Sequence, residues 1–598
     1  MENNLEVNVD ATDQGPKKEP CKILDLTGKP FSGGTGQSQA NTEPSKVVIY
    51  WLPEDEEHSV YAAERALINA GGVYERLGKI VCLGVARGKT KGGIIKFPSL
   101  VELSDYGMRL KLSGAVQFMG ENDFGKLISL HTPMEVVRML KSKESSNLPV
   151  VSGIITAPTL RDDGSILQVP GYDKESCLIF DPKGIQFLPV PETPTKEEAQ
   201  AALGTLLNII RSFPFDGHIG QACPERSVAL AFFLTALVRK AFLFAPGFAF
   251  DAPTPRSGKG KLINIAYAIA YGHRAVVSNW TTNEEENEKM LGAVMLSGVG
   301  TLSIDNIERP LGGGLISKLL TEESASVRIL GRSKNPVAST DILVSFTGNN
   351  LKFKDDITAR LIKCRIDARM ENPEERKFDW EPVTYALAHR AELAHAALTI
   401  LRAYIVSGER VQCMPCGDYT DWSQMVREPL IWLGEPDPWL TNKVCKSDDP
   451  VQENREAIFR AIFSVYFGKP KISKEMVEDA SQPKDHTGGH LYPELFSSLI
   501  SVARNKDGLT IDGTELGKWL GDNVDKIAGS YTLHKIGKRT PYKWVVEDLD
   551  MVEDADIPLD DVDDSPYVEP TSKGPFGHTI WATPEELDSM KAHPKKRT

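Results

Sequence analysis

A chain of 598 residues that is 41% hydrophobic has room for roughly three to four domains of about 150 residues and can bury several cores. Its net charge of −13 argues at first sight against a polyanionic partner, but ten acidic and no basic residues fall within 547–564, leaving the remainder close to neutral. The longest apolar stretch, 227–250, is broken by Arg239-Lys240 and Pro246-Gly247, the first residues are acidic and the eight cysteines are scattered, so no membrane association is expected and a cytoplasmic location is.

Residues 1–45 are polar and Gly/Pro-rich and are expected to form a disordered arm. From Val47, short β-branched runs separated by Gly and Asp turns, with helical inserts near 59–70 and 133–142, predict an α+β domain over 46–191, a scaffold or a nucleic-acid-contacting unit. The next region, 192–370, opens with Thr195-Lys-Glu-Glu198, a capping-box pattern before a helix, and continues with an apolar helix over 226–244. A strand at 247–251, a Pro-rich loop and a helix from Lys259 to about Tyr271 follow, and the alternation of helices with apolar strands to about 367 predicts a parallel sheet covered on both faces. A helical region, 371–470, contains Cys413-Met-Pro-Cys416, which has no second metal-spaced pair nearby and reads as a loop turn. Residues 471–546 predict helix, turn, helix and hairpin, and 547–598 an acidic disordered tail.

Four stretches in the middle of the chain carry the chemistry. Ala252-Pro-Thr-Pro-Arg-Ser-Gly-Lys-Gly260 follows a strand and opens a helix, the setting in which a loop wraps phosphate with backbone N–H groups. Ser257, Gly258, Lys259, Gly260 and Lys261 are its candidate nucleotide-binding residues. The spelling departs from the usual P-loop: Pro253 stands where a glycine is customary, Arg256 adds a cation, and Gly260 replaces the hydroxyl residue that binds magnesium. The strand 300–305 ends in Asp305, placed to hold Mg²⁺ through water, and is followed by Asn306 where a general base is customary. Glu308 or the group Glu284-Glu285-Glu286-Asn287-Glu288 is the alternative source of that base. The strand 342–347 ends in Gly348-Asn349-Asn350, and an amide there can contact a γ-phosphate or hold the attacking water. Arg360, ten residues on, and Arg328 are candidates for an arginine delivered to a neighbouring subunit's site.

In this order the motifs resemble superfamily III helicases of the AAA+ class, and more closely the replicative helicases of primase-helicase type carried by bacteriophages and integrated mobile elements. The resemblance covers about 60–545 and includes Pro158-Thr-Leu-Arg-Asp-Asp-Gly-Ser165, Thr347-Gly-Asn-Asn-Leu351 and Glu371-Asn-Pro-Glu-Glu-Arg376. It implies an α/β fold, with a P-loop AAA+-like parallel sheet flanked by helices between an N-terminal α+β domain and a C-terminal winged-helix-like domain. ATP and Mg²⁺ are the implied cofactors, with Lys259, Asp305, Asn349 and Arg360 taking the family's ATPase roles. A homo-oligomeric ring, a hexamer, on single-stranded or forked DNA is implied, with a separate primase as a further partner. A pore hairpin would fall at 328–335, with Arg332 and Lys334 tracking phosphates.

Lys535, Lys538, Arg539 and Lys543, on the two strands and the turn between them, would contact DNA phosphates as a wing. The rival expectation is an ATP-binding nucleic-acid scaffold or switch with slow or no hydrolysis, suggested by Gly260 and Asn306. A small-molecule kinase, suggested by Gly-Lys-Gly, ranks last because no acceptor pocket is legible.

Overall fold

A computed structural model describes residues 46–552, apart from Pro53, 91–92, 144–145, Gly217, Val299, 328–335, 377–379 and 485–488. The chain divides into two compact units, one ending at Asn454 and one starting at Arg455. Among the described residues no helix is long and apolar enough to cross a membrane.

The centre of the first unit is a five-stranded sheet in the order Val277–Ser278, Thr301–Ile307, Leu343–Asn349, Gly247–Ala252, Leu361–Arg365, with every neighbouring pair parallel. The strand that comes first in sequence, Gly247–Ala252, therefore lies between the last two. Connections run to either side of it, which opens a crevice at its carboxyl end, where ligands of open α/β sheets bind.

Its residues alternate between two cores as a period-2 strand requires. Phe248 and Phe250 enter one large cluster with helices Pro224–Val238, Lys259–Tyr271 and Arg390–Ser407, while Ala249 enters a second with Glu284–Ser297 and Gly314–Thr321. The first helix of this region starts where the capping box predicts, with Thr195 Oγ1 accepting from the Glu198 amide and the Glu198 carboxylate accepting from the Thr195 amide.

Two buried arginines fix the ends of the layers. Helix Pro224–Val238 stops short of the predicted 244, and Arg239 just beyond it donates to the carbonyls of Phe242, Leu243, Thr340 and Ile342, tying that helix to the entry of strand Leu343–Asn349. Arg390 donates to the carbonyls of Ile269 and Ala270 at the C-terminus of helix Lys259–Tyr271, where a cation is favoured, and to Thr156 Oγ1. Burial pushes Arg239 and Arg390 each down to about 10, and the carbonyl partners offset the cost of burying the charges.

Ahead of this core, Val47–Tyr50, Val116–Glu121 and Leu127–Leu130 form one small sheet, and Tyr74–Arg76, Lys79–Thr90 and Gly93–Glu102 another. Helices Glu56–Ala70, Asp105–Ala115 and Met134–Ser142 share a core with the first of these.

The second unit packs helices Ser473–Ser481, Pro493–Val502 and Gly513–Asp522 on a four-stranded sheet ordered Lys471–Ile472, Lys543–Asp548, Tyr531–Ile536, Ile527–Ala528. Helix Pro450–Tyr466 contributes Ile458, Phe459 and Ile462 to its core.

The ring of Phe232 sits 5.0 Å from each of the Phe248 and Phe250 rings, beneath the central strand. Phe232→Ala is expected to cost about 3–5 kcal/mol of the first unit's stability, read as a lowered denaturant midpoint, with little change in the second unit's transition.

Candidate functional site

The loop 253–258 leaves the central strand at its carboxyl end and closes onto helix Lys259–Tyr271, whose first N–H groups have no acceptor within the helix. Two residues of the loop take positive φ, Arg256 at 58° and Gly258 at 114°. The φ of Gly258 is what favours glycine there, and an added Cβ would also stand close, 3.2 Å, to the Phe213 ring. Gly260 is different: an added Cβ would meet nothing within 4 Å, so the missing hydroxyl side chain is a choice of residue and not a steric demand.

Lys259 Nζ lies 2.7 Å from Asn349 Oδ1 and 3.3 Å from both the Thr254 carbonyl and Ser257 Oγ. Burial pulls the Lys259 ammonium below its usual range, while the Asp251 and Asp305 carboxylates act in the opposite direction. Lys259 and Asn349, ninety residues apart in sequence, are thus in direct contact at the tips of adjacent strands, with Asp305 close enough to act on the same ammonium.

Asp305 is presented by an irregularity that the sequence does not announce. Ile304 is registered with Phe346 and Ile307 with Gly348, so Asp305 and Asn306 together face the single residue Thr347. This bulge turns Asn306 to φ 53°, and the extra residue re-aims the side chains at the strand end. Thr347 holds it: its hydroxyl donates to Asp305 Oδ1 and accepts from the Asn306 amide at 3.1 Å. Gly348 permits the close strand approach, since a Cβ there would stand 2.6 Å from the Ile307 carbonyl oxygen.

Asn306 Nδ2 donates to Glu308 at 3.0 Å, and Asn306, Glu308, Glu284 and Glu288 line one cleft of about 730 Å³ beside the strand end, together with Trp280. Both alternative sources of a general base therefore meet beside Asn306.

Three further residues set the frame of the loop. Asp251, fully buried, accepts from the Leu351 amide at 2.8 Å and from Arg365 Nη1 at 3.0 Å, with Lys363 Nζ at 3.4 Å. Lys363 also donates to the Leu351 carbonyl and to Asp448. Arg376 donates to the Ser257 carbonyl at 2.9 Å. Sequence reasoning gave none of them a role. Asp251 hides in an apolar run, and Arg376 belongs to a quoted segment whose distance from the loop in sequence conceals its contact.

Arg360 lies elsewhere. It ends the 3-10 segment Asp355–Arg360, pairs with its own Asp356 at 2.8 Å, and precedes Leu361, which is registered with Gly247 at the entering end of the sheet. That is five residues before Ala252 and so about 16 Å from the strand tip that bears the loop. Arg328, Arg332 and Lys334 fall outside the described residues. Flanking them, Ser324–Ser326 and Val337–Ser339 pair antiparallel. Of the residues around the predicted wing, Lys538, Arg539 and Lys543 are exposed, and Lys535 Nζ sits 3.5 Å from the centre of the Tyr542 ring.

No family model matches this chain, and no curated protein does. Among solved structures it is similar to the NrS-1 C-terminal region (residues 305–718), at 11% identity over 81% of this chain and 98% of that one with a TM-score of 0.33. It is similar at the same four figures to the SCCmec type IV Cch active helicase. It is also similar to JCV helicase, at 14% identity over 34% of this chain and 61% of that one, TM-score 0.18.

The Asp251 network makes two expectations. Asp251→Ala leaves Lys363 buried beside one fewer carboxylate and is expected to destabilise the first unit by about 3–5 kcal/mol in denaturant titration. Burial alone would lower Lys363, but Asp251 and Asp448 outweigh it and hold the ammonium above its ordinary 10.5. A base raised on folding contributes stability in full below that value and loses it as pH rises through the folded value. Lys363→Met should therefore flatten the fall in stability above pH 10.5, measured as melting temperature against pH.

Proposed function

We propose that this chain is an ATP-driven translocase of the superfamily III type, a DNA helicase acting in replication of a phage or mobile element. The observation that carries the reading is the convergence of the Lys259 ammonium, the Asn349 amide and the Thr347-held Asp305 carboxylate. They meet at the tips of adjoining parallel strands, beside a loop that ends on a helix N-terminus.

The donor set fits a magnesium triphosphate. The backbone of Ser257, Gly258, Lys259, Gly260 and Lys261 at the helix start, with the Lys259 ammonium, would hold the phosphates. Asp305, oriented by Thr347, would hold Mg²⁺ through water, and Gly260 would contribute no hydroxyl ligand. Magnesium, when bound there, would supply charge neutralisation during phosphoryl transfer. Asn349 would exchange its contact with Lys259 for the attacking water. As the water oxygen bonds to the γ-phosphorus, the bond to the β–γ bridging oxygen breaks and that oxygen leaves with ADP, while Glu308, Glu284 or Glu288 in the adjoining cleft would take the water's proton. Arg360, at the far end of the sheet, serves the site of the next copy in a homo-oligomeric ring, the hexamer, and Arg328 is the second candidate for that role. Arg332 and Lys334 would track a single strand in the pore. The second unit would act as a winged helix whose Lys538, Arg539 and Lys543 meet phosphates, with Lys535 steadied by Tyr542.

The test is ATP hydrolysis with and without single-stranded DNA. Stimulated turnover that falls by about two to three orders of magnitude in Lys259→Ala supports the motor, whereas tight ATP binding with no turnover in the unaltered chain supports a switch. Arg360→Ala is expected to lose at least about 10³-fold, and mixing it with Lys259→Ala should restore part of the activity, because each variant supplies the half-site the other lacks. Failure of the mixture to recover any activity contradicts action between subunits. The open space at Gly260 gives a gain-of-function expectation: Gly260→Thr should fold normally and raise magnesium-dependent turnover.

A further inference from the structure

The small sheet that opens the first unit ends in a strand with a bare outer side. Its order is Val47–Tyr50, Val116–Glu121, Leu127–Leu130. Among the described residues the last strand pairs only with the middle one, without a bulge, from Phe118↔Leu130 to Glu121↔Leu127. One row of its backbone N–H and C=O groups therefore faces away from the sheet, a template for a further strand. Edges of this kind are ordinarily blunted by charge, proline, a bulge or a cover. Here the sequence is Leu-Ile-Ser-Leu, and Leu127 is 47% exposed. In the turn before it Phe124 is 92% exposed, although that turn is well tied: Asn122 Oδ1 accepts from the Phe124 and Lys126 amides at 3.1 and 2.9 Å. Apolar side chains thus lie open along the length of the edge.

Where the edge strand runs out, a cleft begins. Thr132, two residues past Leu130, has its Oγ1 2.8 Å from Ser113 Oγ on helix Asp105–Ala115. That helix buries Met108 and Leu112 and turns Tyr106 and Leu110, each 75% exposed and one turn apart, to the outside. With Arg109, Ser113, His131 and Thr132 they line a cleft of about 360 Å³. The acid in the helix's first turn, Asp105, is already engaged by Lys141 at 2.7 Å. Arg109 has no carboxylate partner among the described residues and is the charge left for an occupant. A bare strand edge that leads into a cleft with an apolar wall and one unpaired guanidinium is the combination that strand addition uses: the main chain supplies affinity, and the pocket supplies choice.

We propose that this surface docks an extended peptide segment of a partner protein, which adds as a fourth strand beside Leu127–Leu130 and sets a carboxylate against Arg109. The partner segment is thus apolar and acidic in alternation, its apolar residues meeting Leu127, Tyr106 and Leu110. Two other occupants fit less well. A nucleic-acid strand has no N–H and C=O ladder to offer the edge, and surfaces that bind it track the backbone with a positively charged groove, whereas Arg109 is the one arginine or lysine lining the cleft. A second copy pairing edge to edge would bring Leu127–Leu130, which contains no carboxylate for Arg109.

The experiment uses the full chain without nucleotide, so its result is independent of the motor reading. Fluorescence anisotropy is measured for three short labelled peptides: one alternating Val and Glu, one alternating Val and Lys, and the Val/Glu peptide with its backbone amides N-methylated. The Val/Glu peptide is expected to bind, and the other two to bind at least about tenfold more weakly. Arg109→Gln is expected to weaken the Val/Glu peptide by about tenfold or more with no change in melting temperature, and Leu110→Asp, at an exposed position, to weaken it as well. No binding of the Val/Glu peptide, equal affinity for the N-methylated peptide, or an affinity that Arg109→Gln leaves unchanged overturns the proposal. Displacement of the bound peptide by a single strand of DNA, or self-association of the chain that Leu110→Asp abolishes, assigns the surface to a different occupant and overturns it too. A photo-crosslinking residue at Leu127 gives a reading that needs no loss of affinity: crosslinks to the bound Val/Glu peptide are expected, and their absence at saturation contradicts strand addition at this edge.

Discussion

The carboxylate of Asp251 is the contact on which the geometry of the loop 253–258 and the neighbouring strand tips depends. It is fully buried in the central strand, one residue before that strand ends, and it reaches the Leu351 amide beyond one neighbouring strand and Arg365 on the other. The Ile366 amide donates to its backbone carbonyl at 2.9 Å, so side chain and main chain both bind the strands together at this level. A buried charge is tolerated only when paired and hydrogen-bonded, and here each partner is an element whose position matters to the site. Leu351 lies two residues after Asn349, Arg365 ends the last strand, and Asp251 itself precedes the loop that leads to Lys259. Moving any of these strand tips would unpair the charge.

The same network reaches the opposite end of the sheet. Lys363 links Asp251 to Asp448, and the next residue, Asp449, accepts from the Asp355 amide at the start of the segment that ends in Arg360. Asn442 secures that segment from the side, donating to the carbonyls of Thr358 and Leu361. The loop at one end and Arg360 at the other are thus set by a continuous chain of charged and amide contacts. On the proposed reading, the two halves of adjacent sites in a ring are held in fixed relation by groups that touch neither nucleotide nor DNA.

How much of this was legible in the sequence depends on the range of the signal. Strand, loop and helix around Lys259 were readable because a period-2 apolar run gives way to a Pro/Gly loop and then to helical spacing within 25 residues. The Thr195–Glu198 capping box was readable for the same reason, since both partners lie within one helical turn. The bulge at Asp305 was not, because two residues facing Thr347 is a property of register between strands 42 residues apart. Nor was the burial of Asp251, whose partner Arg365 lies more than a hundred residues on. The contact of Arg376 with the Ser257 carbonyl spans a similar distance. Local propensity writes itself into neighbouring residues, whereas long-range electrostatic pairing leaves no periodic trace.

The central claim, that Lys259, Asp305 and Asn349 surround one magnesium triphosphate, is tested most directly by solving the structure of the protein with Mg²⁺ and a non-hydrolysable ATP analogue. The account predicts a terminal phosphate within ion-pair distance of Lys259 Nζ in place of Asn349 Oδ1, with the metal's water shell against the Asp305 carboxylate. A nucleotide bound away from the loop 253–258, or a Lys259–Asn349 contact that persists unchanged with the analogue bound, would contradict it.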